Sequence, residues 1–258
     1  MSSQASPKII FWDLETSHNI IAKFDLKEEY TNPSNVLVER YIFCAAWNEL
    51  GKNKIHSVSL LDDPKRFSKN IHDDYFVVKT LHNVLSEADV LVAHNGDCFD
   101  LPWLNGRILF HGLKPLPPIQ TVDTLKQARK RFNLNSFRLD YLGKFLGLGG
   151  KMSTPTGLWL EALGGNEKAI RDMATYNKRD VELLRDVFLK LQPFMPDALN
   201  RALHGQDGCP RCASMHVQSR GFHRSLTQVY RRMQCVDCGG WFRSAKCEKS
   251  MASKVKVI

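Results

Sequence analysis

Two acids close the first strand-like stretch of the chain. Asp13 and Glu15 follow the apolar run 9–12 and are separated by one residue. Because side chains alternate along a strand, both carboxylates should project to the same side. Acids in that relation repel each other and are costly to desolvate unless a cation lies between them. The pair predicts a divalent-metal site, with a solvated strand end as the alternative.

Further acids occur where a predicted strand ends and where a predicted helix faces the core. Asp97 and Asp100 follow an apolar strand predicted over 88–93, a position where ligands gather in open α/β sheets, although Asp100 could also simply cap a helix. Asp180 interrupts the apolar stripe of a helix predicted over 167–191. A carboxylate on such a stripe must be paired or bind a metal. Tyr176 lies one turn earlier on the same face.

The order of the predicted elements favours a mixed sheet. Apolar runs predict strands over 8–16, 41–47, 54–61 and 88–93, the second and third joined by a hairpin connection at 48–53. Helical periodicity occupies about 74–86, a segment from about 100, 138–146 and 167–191. Strands first, then strands alternating with helices, predict an α/β fold in which helices flank a mixed sheet.

Three stretches resemble the motifs of the DEDD 3′-to-5′ exonucleases, in the same order. They are FWDLET at 11–16, HNGDCFDLPWL at 94–104 and YNKRD at 176–180. The tyrosine that opens the third stretch is typical of the DEDDy branch, which includes polymerase proofreading domains. Segments 121–125 and 138–144 are also similar to the region between the second and third motifs of that branch. The resemblance covers roughly residues 8–192 and implies an RNase H-like fold.

The resemblance also implies hydrolysis of phosphodiester bonds with two Mg²⁺ or Mn²⁺ ions, hard cations that prefer oxygen ligands. By analogy, Asp13 bridges both ions, Glu15 and Asp180 complete the first, and Asp100 holds the second. Tyr176 orients the attacking water. These five residues are the expected catalytic set.

Two residues of the second motif have competing interpretations. Asp97 is the rival of Asp100 as the acid of that motif, although the family pattern Asn-x-x-x-Phe-Asp selects Asp100. Asn95 is expected to place the terminal nucleotide, but it could equally cap a turn.

Two Cys-x-x-Cys pairs near the C-terminus predict a structural zinc site. The four residues are Cys209, Cys212, Cys235 and Cys238. Each pair can aim two thiolates at one point, and two pairs complete a closed tetrahedral Zn²⁺ site. A redox dithiol would explain one pair but not both, and His216 and His223 are alternative ligands. The metal would supply the folding energy of a segment too short to fold on a hydrophobic core alone.

Positive charge is concentrated around these cysteines. From Gly205 onward the chain has ten Lys and Arg against three Asp and Glu, so most of the net charge of +9 lies there. The segment 209–243 resembles the zinc ribbons appended to transposases and other DNA-handling proteins. Its arginines and aromatics suit phosphate contact and base stacking, although the aromatics could instead form a small core beneath solvated charges. The expected nucleic-acid contacts are Arg220, Arg224, Arg231, Arg232, Trp241 and Arg243.

The expected organisation is an exonuclease domain at 6–195, a linker at 196–208, a Cys₄ zinc ribbon at 209–246 and a basic tail at 247–258. The expected function is metal-dependent 3′-to-5′ exonuclease activity on single-stranded DNA ends rather than RNA, with the ribbon aiding binding. A structure-specific endonuclease or resolvase on the same fold, or a non-catalytic nucleic-acid-binding module, are the alternatives. Without an apolar run of 18 residues or a signal-peptide pattern, a soluble cytoplasmic protein without a membrane partner is expected.

Overall fold

The computed structural model describes residues 7–23, 25, 31–150, 157–204 and 208–250. These residues form two compact units. One comprises Lys8–Lys126 and Leu134–Val187, and the other includes Gln127–Asn133 and the described part of Phe188–Ile258. Residues 6, 205–207 and 251–258, which belong to the predicted exonuclease domain, linker and basic tail, lie outside the described residues.

The first unit contains a five-stranded mixed sheet, as predicted. Its strands are β1 (Ile9–Thr16), β4 (Ile42–Glu49), β5 (His56–Ser59), β6 (Val90–Ala93) and β7 (Gln120–Asp123), in the order β5-β4-β1-β6-β7. β1 pairs antiparallel with β4 and parallel with β6, and β7 continues the parallel half. Two short strands, β2 (Ile20–Ile21) and β3 (Val36–Val38), form a separate antiparallel pair.

The α-helices are α1 (Pro64–Lys69), α2 (Tyr75–Ser86), α3 (Asp100–Phe110), α4 (Thr124–Arg131), α5 (Leu139–Phe145), α6 (Leu158–Leu163) and α7 (Glu167–Leu191). α7 has the predicted bounds. The strand predicted over 54–61 is shorter, because residues 60–62 form a 3₁₀ turn. Asp62 Oδ2 accepts hydrogen bonds from Ser59 N at 2.7 Å and Ser59 Oγ at 3.1 Å, which closes this turn.

β1 lies at the centre of the sheet because its residues 9–12 and 14 are apolar. A strand with neighbours on both edges and packing on both faces favours such a continuous run. Trp12 packs in a core with Phe43, Leu81 and Leu104, all fully buried. Asp13, Glu15 and Thr16 are the partly buried positions in this strand's C-terminal half.

A buried ionic cluster at the start of β4 was not predicted. Asp74, which is fully buried, accepts hydrogen bonds from Arg107 Nε at 2.8 Å and Nη2 at 2.7 Å, and from Ile42 N at 2.9 Å. His111 Nε2 lies 2.6 Å from Asp74 Oδ1. Burial alone would raise the pKa of the Asp74 carboxyl, but the bonds from His111 and Arg107 outweigh it and lower that pKa. The cluster ties β4 to α3.

The second unit contains a three-stranded antiparallel sheet. Its strands are β8 (Val217–Arg224), β9 (Gln228–Cys235) and β10 (Trp241–Ser250), with β9 in the middle. Short 3₁₀ turns at Gln192–Phe194 and Arg201–His204 precede it. Within the described ranges, the helices include none that is both long and apolar enough to cross a bilayer.

Candidate functional site

Three of the four predicted acids form one cluster. β1 carries Asp13 and Glu15 on the same side of the sheet, and α7 brings Asp180 beside them. One carboxylate oxygen from each of the three lies within 4.8 Å of the others. Asp180 is almost completely buried, whereas the other two are partly buried. The cluster combines residues 167 positions apart in the chain, and it concentrates negative charge at one point.

The fourth acid, Asp100, lies next to this cluster, but its carboxylate is not one of those that lie within 4.8 Å of one another. It is the first residue of α3 and is buried, and its Oδ1 accepts a hydrogen bond from Leu14 N at 3.3 Å. Leu14 stands between Asp13 and Glu15, so the bond brings the second motif to the first. The N-cap of α3 is Phe99, so Asp100 is not the capping residue.

Asp97 has a different environment. Its Oδ2 accepts a hydrogen bond from Lys126 Nζ at 2.8 Å, and both side chains are partly exposed. The intervening turn is tight: a Cβ added at Gly96 would lie 2.3 Å from Ala93 Cβ. Only glycine fits at this position without a shift.

Two residues that were not predicted as functional fix the loop before α3. Asp123 Oδ1 accepts hydrogen bonds from Asn95 N at 3.0 Å and Leu125 N at 2.9 Å. His94 Nδ1 lies 2.9 Å from Thr124 Oγ1, and its Nε2 lies 2.9 Å from Phe137 O. Asn95 itself has a left-handed backbone, with φ of 68°, as suits a turn residue. Contact of its side chain with a nucleotide stays a prediction.

Asn177 is a site residue that the sequence reasoning missed. It is fully buried on α7, and its Nδ2 donates a hydrogen bond to Asp13 Oδ2 at 2.6 Å. The signal that could have identified it is its spacing, because residues i and i+3 on a helix are neighbours and Asp180 is three residues later. A buried amide on the same face as a buried acid predicts a hydrogen-bonded network.

Tyr176 and Cys44 complete the surroundings of the acids. Tyr176 is half-buried, and its ring packs edge-on against Trp159 with centroids 6.3 Å apart. Cys44 of β4 is the cross-strand partner of Glu15. Burial raises the pKa of the Cys44 thiol, and the charges of Glu15 and Asp13 raise it further. The thiol is thus a neutral neighbour of the acids.

The donor set fits hard divalent cations. Carboxylate oxygens are the ligands that Mg²⁺ and Mn²⁺ prefer, and no cysteine or histidine belongs to the acidic cluster among the described residues. Two oxygens on opposite sides of one such ion stand about 4.2 Å apart with bonds of about 2.1 Å. The three carboxylate oxygens lie within 4.8 Å of one another, which is compatible with shared coordination of one such ion.

The second candidate metal centre is formed by Cys209, Cys212, Cys235 and Cys238, whose sulfurs all lie within 4.8 Å of one another. Two of the sulfur pairs are 3.6 Å apart. A tetrahedron with Zn–S bonds of about 2.3 Å has edges of about 3.8 Å, so the four sulfurs fit one zinc ion. His216 and His223 are not members of this group. The cluster and the three-stranded sheet are compatible with a zinc ribbon.

The two cysteine turns have matching backbones. Ala213 N donates to Cys209 O at 2.8 Å, and Gly239 N donates to Cys235 O at 3.0 Å. Ala213 and Gly239 both have left-handed φ values, 64° and 73°. A non-glycine residue with positive φ is uncommon, so the first turn holds this conformation at a cost that its other bonds must offset.

The predicted nucleic-acid contacts of the ribbon all lie on the three-stranded sheet, and all are exposed. Their side chains do not share one environment. Arg231 Nε pairs with Glu248 Oε1 at 2.8 Å, whereas Arg232 and Arg243 stack over aromatic rings.

Comparisons with known proteins agree with this fold. Residues 49–192, more than half of the chain, match the family model for the RNase H superfamily. That segment includes Asp100, Tyr176 and Asp180, whereas Asp13 and Glu15 precede it. No curated protein sequence matches the chain.

Among solved structures, the chain is similar to the family B DNA polymerase from the hyperthermophilic archaeon Pyrobaculum calidifontis, with a TM-score of 0.52 and 16% sequence identity. The match covers 80% of this chain and 26% of the polymerase, so the chain spans about a quarter of that protein's length. At this identity, the likeness concerns the fold.

Proposed function

This chain belongs to the RNase H superfamily, and on that premise we propose that it is a metal-dependent 3′-to-5′ exonuclease that hydrolyses the phosphodiester bonds of single-stranded DNA. The observation that carries the proposal is the gathering of Asp13, Glu15 and Asp180 within 4.8 Å, with Asp100 bonded to the strand between the first two. Two helices and a central strand bring these four acids together. Folding alone does not account for this arrangement, because buried carboxylates are costly without a counter-charge.

The roles of the residues follow their positions. By analogy with the DEDD motifs, Asp13, Glu15 and Asp180 would together with Asp100 hold two divalent ions. Bound there, the ions supply water activation and neutralise charge on the leaving oxygen. Asn177 holds the Asp13 carboxylate in one orientation through Nδ2. Tyr176, one turn before Asp180, would orient the attacking water through its hydroxyl.

The direction of hydrolysis and the choice of DNA rest on different grounds. The order and spacing of the three motifs support the 3′-to-5′ direction and the DEDDy type. Similarity to a DNA polymerase supports DNA rather than RNA. The cysteine ribbon, which would bind one structural Zn²⁺, carries exposed arginines that would raise the local affinity for the strand.

The test is hydrolysis of labelled oligonucleotides by the full chain in Mg²⁺ or Mn²⁺. A 5′-labelled single strand should yield a ladder that shortens with time, and a 3′-labelled strand should release the labelled mononucleotide first. A chelator should abolish both. The matched variants are Asp100→Asn and Asp97→Asn, which make the same isosteric change three residues apart, and only the first should be inactive.

Two further substrates separate the proposal from its rivals. Cutting of a circular single strand would indicate an endonuclease and refute the exonuclease assignment. Equal rates on the matching RNA strand would refute the preference for DNA. Binding without hydrolysis of any substrate in either metal would leave a nucleic-acid-binding module in its place.

A further inference from the structure

The register of the ribbon sheet sorts its arginines onto opposite faces. Directly opposed residues of an antiparallel pair project to the same face. On β9, Tyr230, Arg232 and Gln234 therefore share one face with their partners, while Arg231 projects to the other. We name the first face the arginine face, and its members are Gln218, His223, Tyr230, Arg232, Gln234, Trp241, Arg243 and Cys247.

Two like charges oppose each other on the arginine face. Arg232 of β9 and Arg243 of β10 are cross-strand partners. Like charges directly opposite each other destabilise a sheet, by an amount comparable with the gain from an opposite-charge pair. The arrangement therefore favours the binding of anions to this face.

No acid of the described ribbon neutralises this pair. The acids within the described residues 208–250 are Asp237 and Glu248. Asp237 accepts hydrogen bonds from Ser214 Oγ at 2.5 Å and from His216 at 3.1 Å. Glu248 pairs with Arg231, whose side chain projects from the opposite face of the sheet. Among the described residues 208–250, no acid compensates the positive charge of the arginine face, whereas Glu248 compensates that of Arg231.

Aromatic rings and the backbone, rather than acids, hold these two guanidinium groups. The Arg243 guanidinium carbon lies 3.8 Å from the Tyr230 ring centroid, and that of Arg232 lies 5.5 Å from the Trp241 ring. Arg232 Nε also donates to Arg220 O at 2.9 Å. That carbonyl lies in the bulge of β8 at Gly221, where φ is 84°. Groups fixed in this way lose little entropy when they bind a ligand.

We propose that the arginine face is the surface by which the ribbon binds single-stranded nucleic acid, with backbone phosphates beside Arg232 and Arg243 and a base stacked on Trp241. Trp241 is about half exposed, and an exposed ring beside paired arginines is the combination that single-strand binding uses. A duplex would present phosphates but would keep its base faces stacked. The inference rests on the proposed function, because it names the surface that would capture the substrate.

The experiment compares neighbouring residues that carry the same charge on opposite faces. Arg232→Gln and Arg231→Gln each remove one positive charge, and the Asp180→Asn background prevents hydrolysis in every arm. Binding of a fluorescent oligothymidylate to the full chain is measured by anisotropy at several salt concentrations. Thermal unfolding monitors the fold of each variant.

Arg232→Gln and Arg243→Gln should each weaken binding about tenfold, the loss expected for one charge-assisted contact. Each should also flatten the dependence of log Kd on log salt by about 0.7, the single-strand value for one phosphate. Arg231→Gln should change neither quantity appreciably. Trp241→Ala should weaken binding at least about fivefold with an unchanged salt slope, and Trp241→Phe should retain binding, because stacking carries this part.

Equal losses in the Arg231 and Arg232 variants would overturn the proposal in favour of diffuse attraction. If Trp241→Ala binds the oligonucleotide as tightly as the wild type does, and polyglutamate binds equally tightly, the partner of the arginine face is an acidic protein rather than nucleic acid. These outcomes are independent of catalysis. If wild-type protein hydrolyses nothing but the variants differ as expected, the exonuclease proposal fails and the arginine face stands.

Discussion

Replacing Asn177 tests whether the buried network around the acids positions a metal ligand. Asn177 is fully buried, and its Nδ2 donates a hydrogen bond of 2.6 Å to Asp13 Oδ2, on a strand 164 residues away. Asn177→Leu keeps the branching and the number of heavy atoms of the side chain and removes the donor. Asp13 Oδ2 then lacks this donor, which helps to hold the carboxylate in the orientation in which it faces Glu15 and Asp180.

The size of the effect follows from the type of bond. A hydrogen bond to a charged acceptor contributes about 1.5 to 3 kcal/mol, which corresponds to roughly 10- to 150-fold in a binding constant. Loss of a residue that orients a metal ligand costs a similar factor, about 10- to 100-fold in metal affinity. We therefore expect the Mn²⁺ concentration for half-maximal binding to rise by at least about tenfold. Turnover at saturating metal should fall much less.

Mn²⁺ binding is measured by calorimetry, and the dependence of the hydrolysis rate on Mn²⁺ concentration is measured as a second readout. Lys178→Leu, a neighbouring exposed position on the same helix, is the matched control and should bind Mn²⁺ like the wild type. Unfolding in urea shows whether the variant is intact. A folded Asn177→Leu protein with unchanged Mn²⁺ affinity would refute the idea that this amide positions Asp13.

Four further outcomes are expected. Asp100→Ala should lower kcat by a factor on the order of a thousand while Asp97→Ala has little effect, and the reverse pattern in steady-state assays would exchange the two residues. Tyr176→Phe should be intermediate, because it removes only a positioning hydroxyl, and wild-type turnover would exclude it from the mechanism. Cys235→Ser should lose the one Zn²⁺ per chain found by metal analysis, and retention of stoichiometric zinc would contradict the four-thiolate site. Asp74→Asn should destabilise the fold by about 3 to 5 kcal/mol at pH 7, because it leaves Arg107 buried without its counter-charge. The lowered pKa of Asp74 sets the sign: its stabilisation is present above the unfolded-state pKa of about 3.9 and is lost as the pH falls through the folded pKa, so urea unfolding should show a smaller difference at pH 3.

Features encoded by local periodicity could be read from the sequence. α7 has the predicted bounds because its apolar residues recur at helical spacing over seven turns, and Met173, Leu184 and Val187 are all buried on one stripe with Asp180. The place of Asp13 and Glu15 follows equally from alternation along a strand. The cysteine cluster follows from the spacing of its two turns. In each case the information lies within a few residues.

Features that depend on contacts between distant segments could not be read in this way. Asp74, beside a helix start, is in isolation an ordinary exposed cap, and its burial depends on Arg107 and His111, 33 and 37 residues later. Asn177 is similarly unremarkable until Asp13 lies against it. Polar residues whose partners come from another element carry no periodic signal, and their energetic importance arises only from the burial that the tertiary fold imposes.

The division of the ribbon arginines shows how one irregularity redirects a pattern. Val217 to Ser219 pair with Cys235 to Met233 in one register, but after the bulge Phe222 pairs with Arg231 and Arg224 with Val229. Each bulge residue reverses the alternation of the strand beyond it. Uniform alternation would place Arg224 on the face of Arg232, whereas the bulge moves it to the opposite face and brings His223 to the arginine face instead. A count of basic residues in the sequence therefore overstates the charge that one strand of nucleic acid could meet. The register places the opposed pair Arg232 and Arg243 on that face, so a single substitution at either position should have a larger effect than one at Arg224 or Arg231.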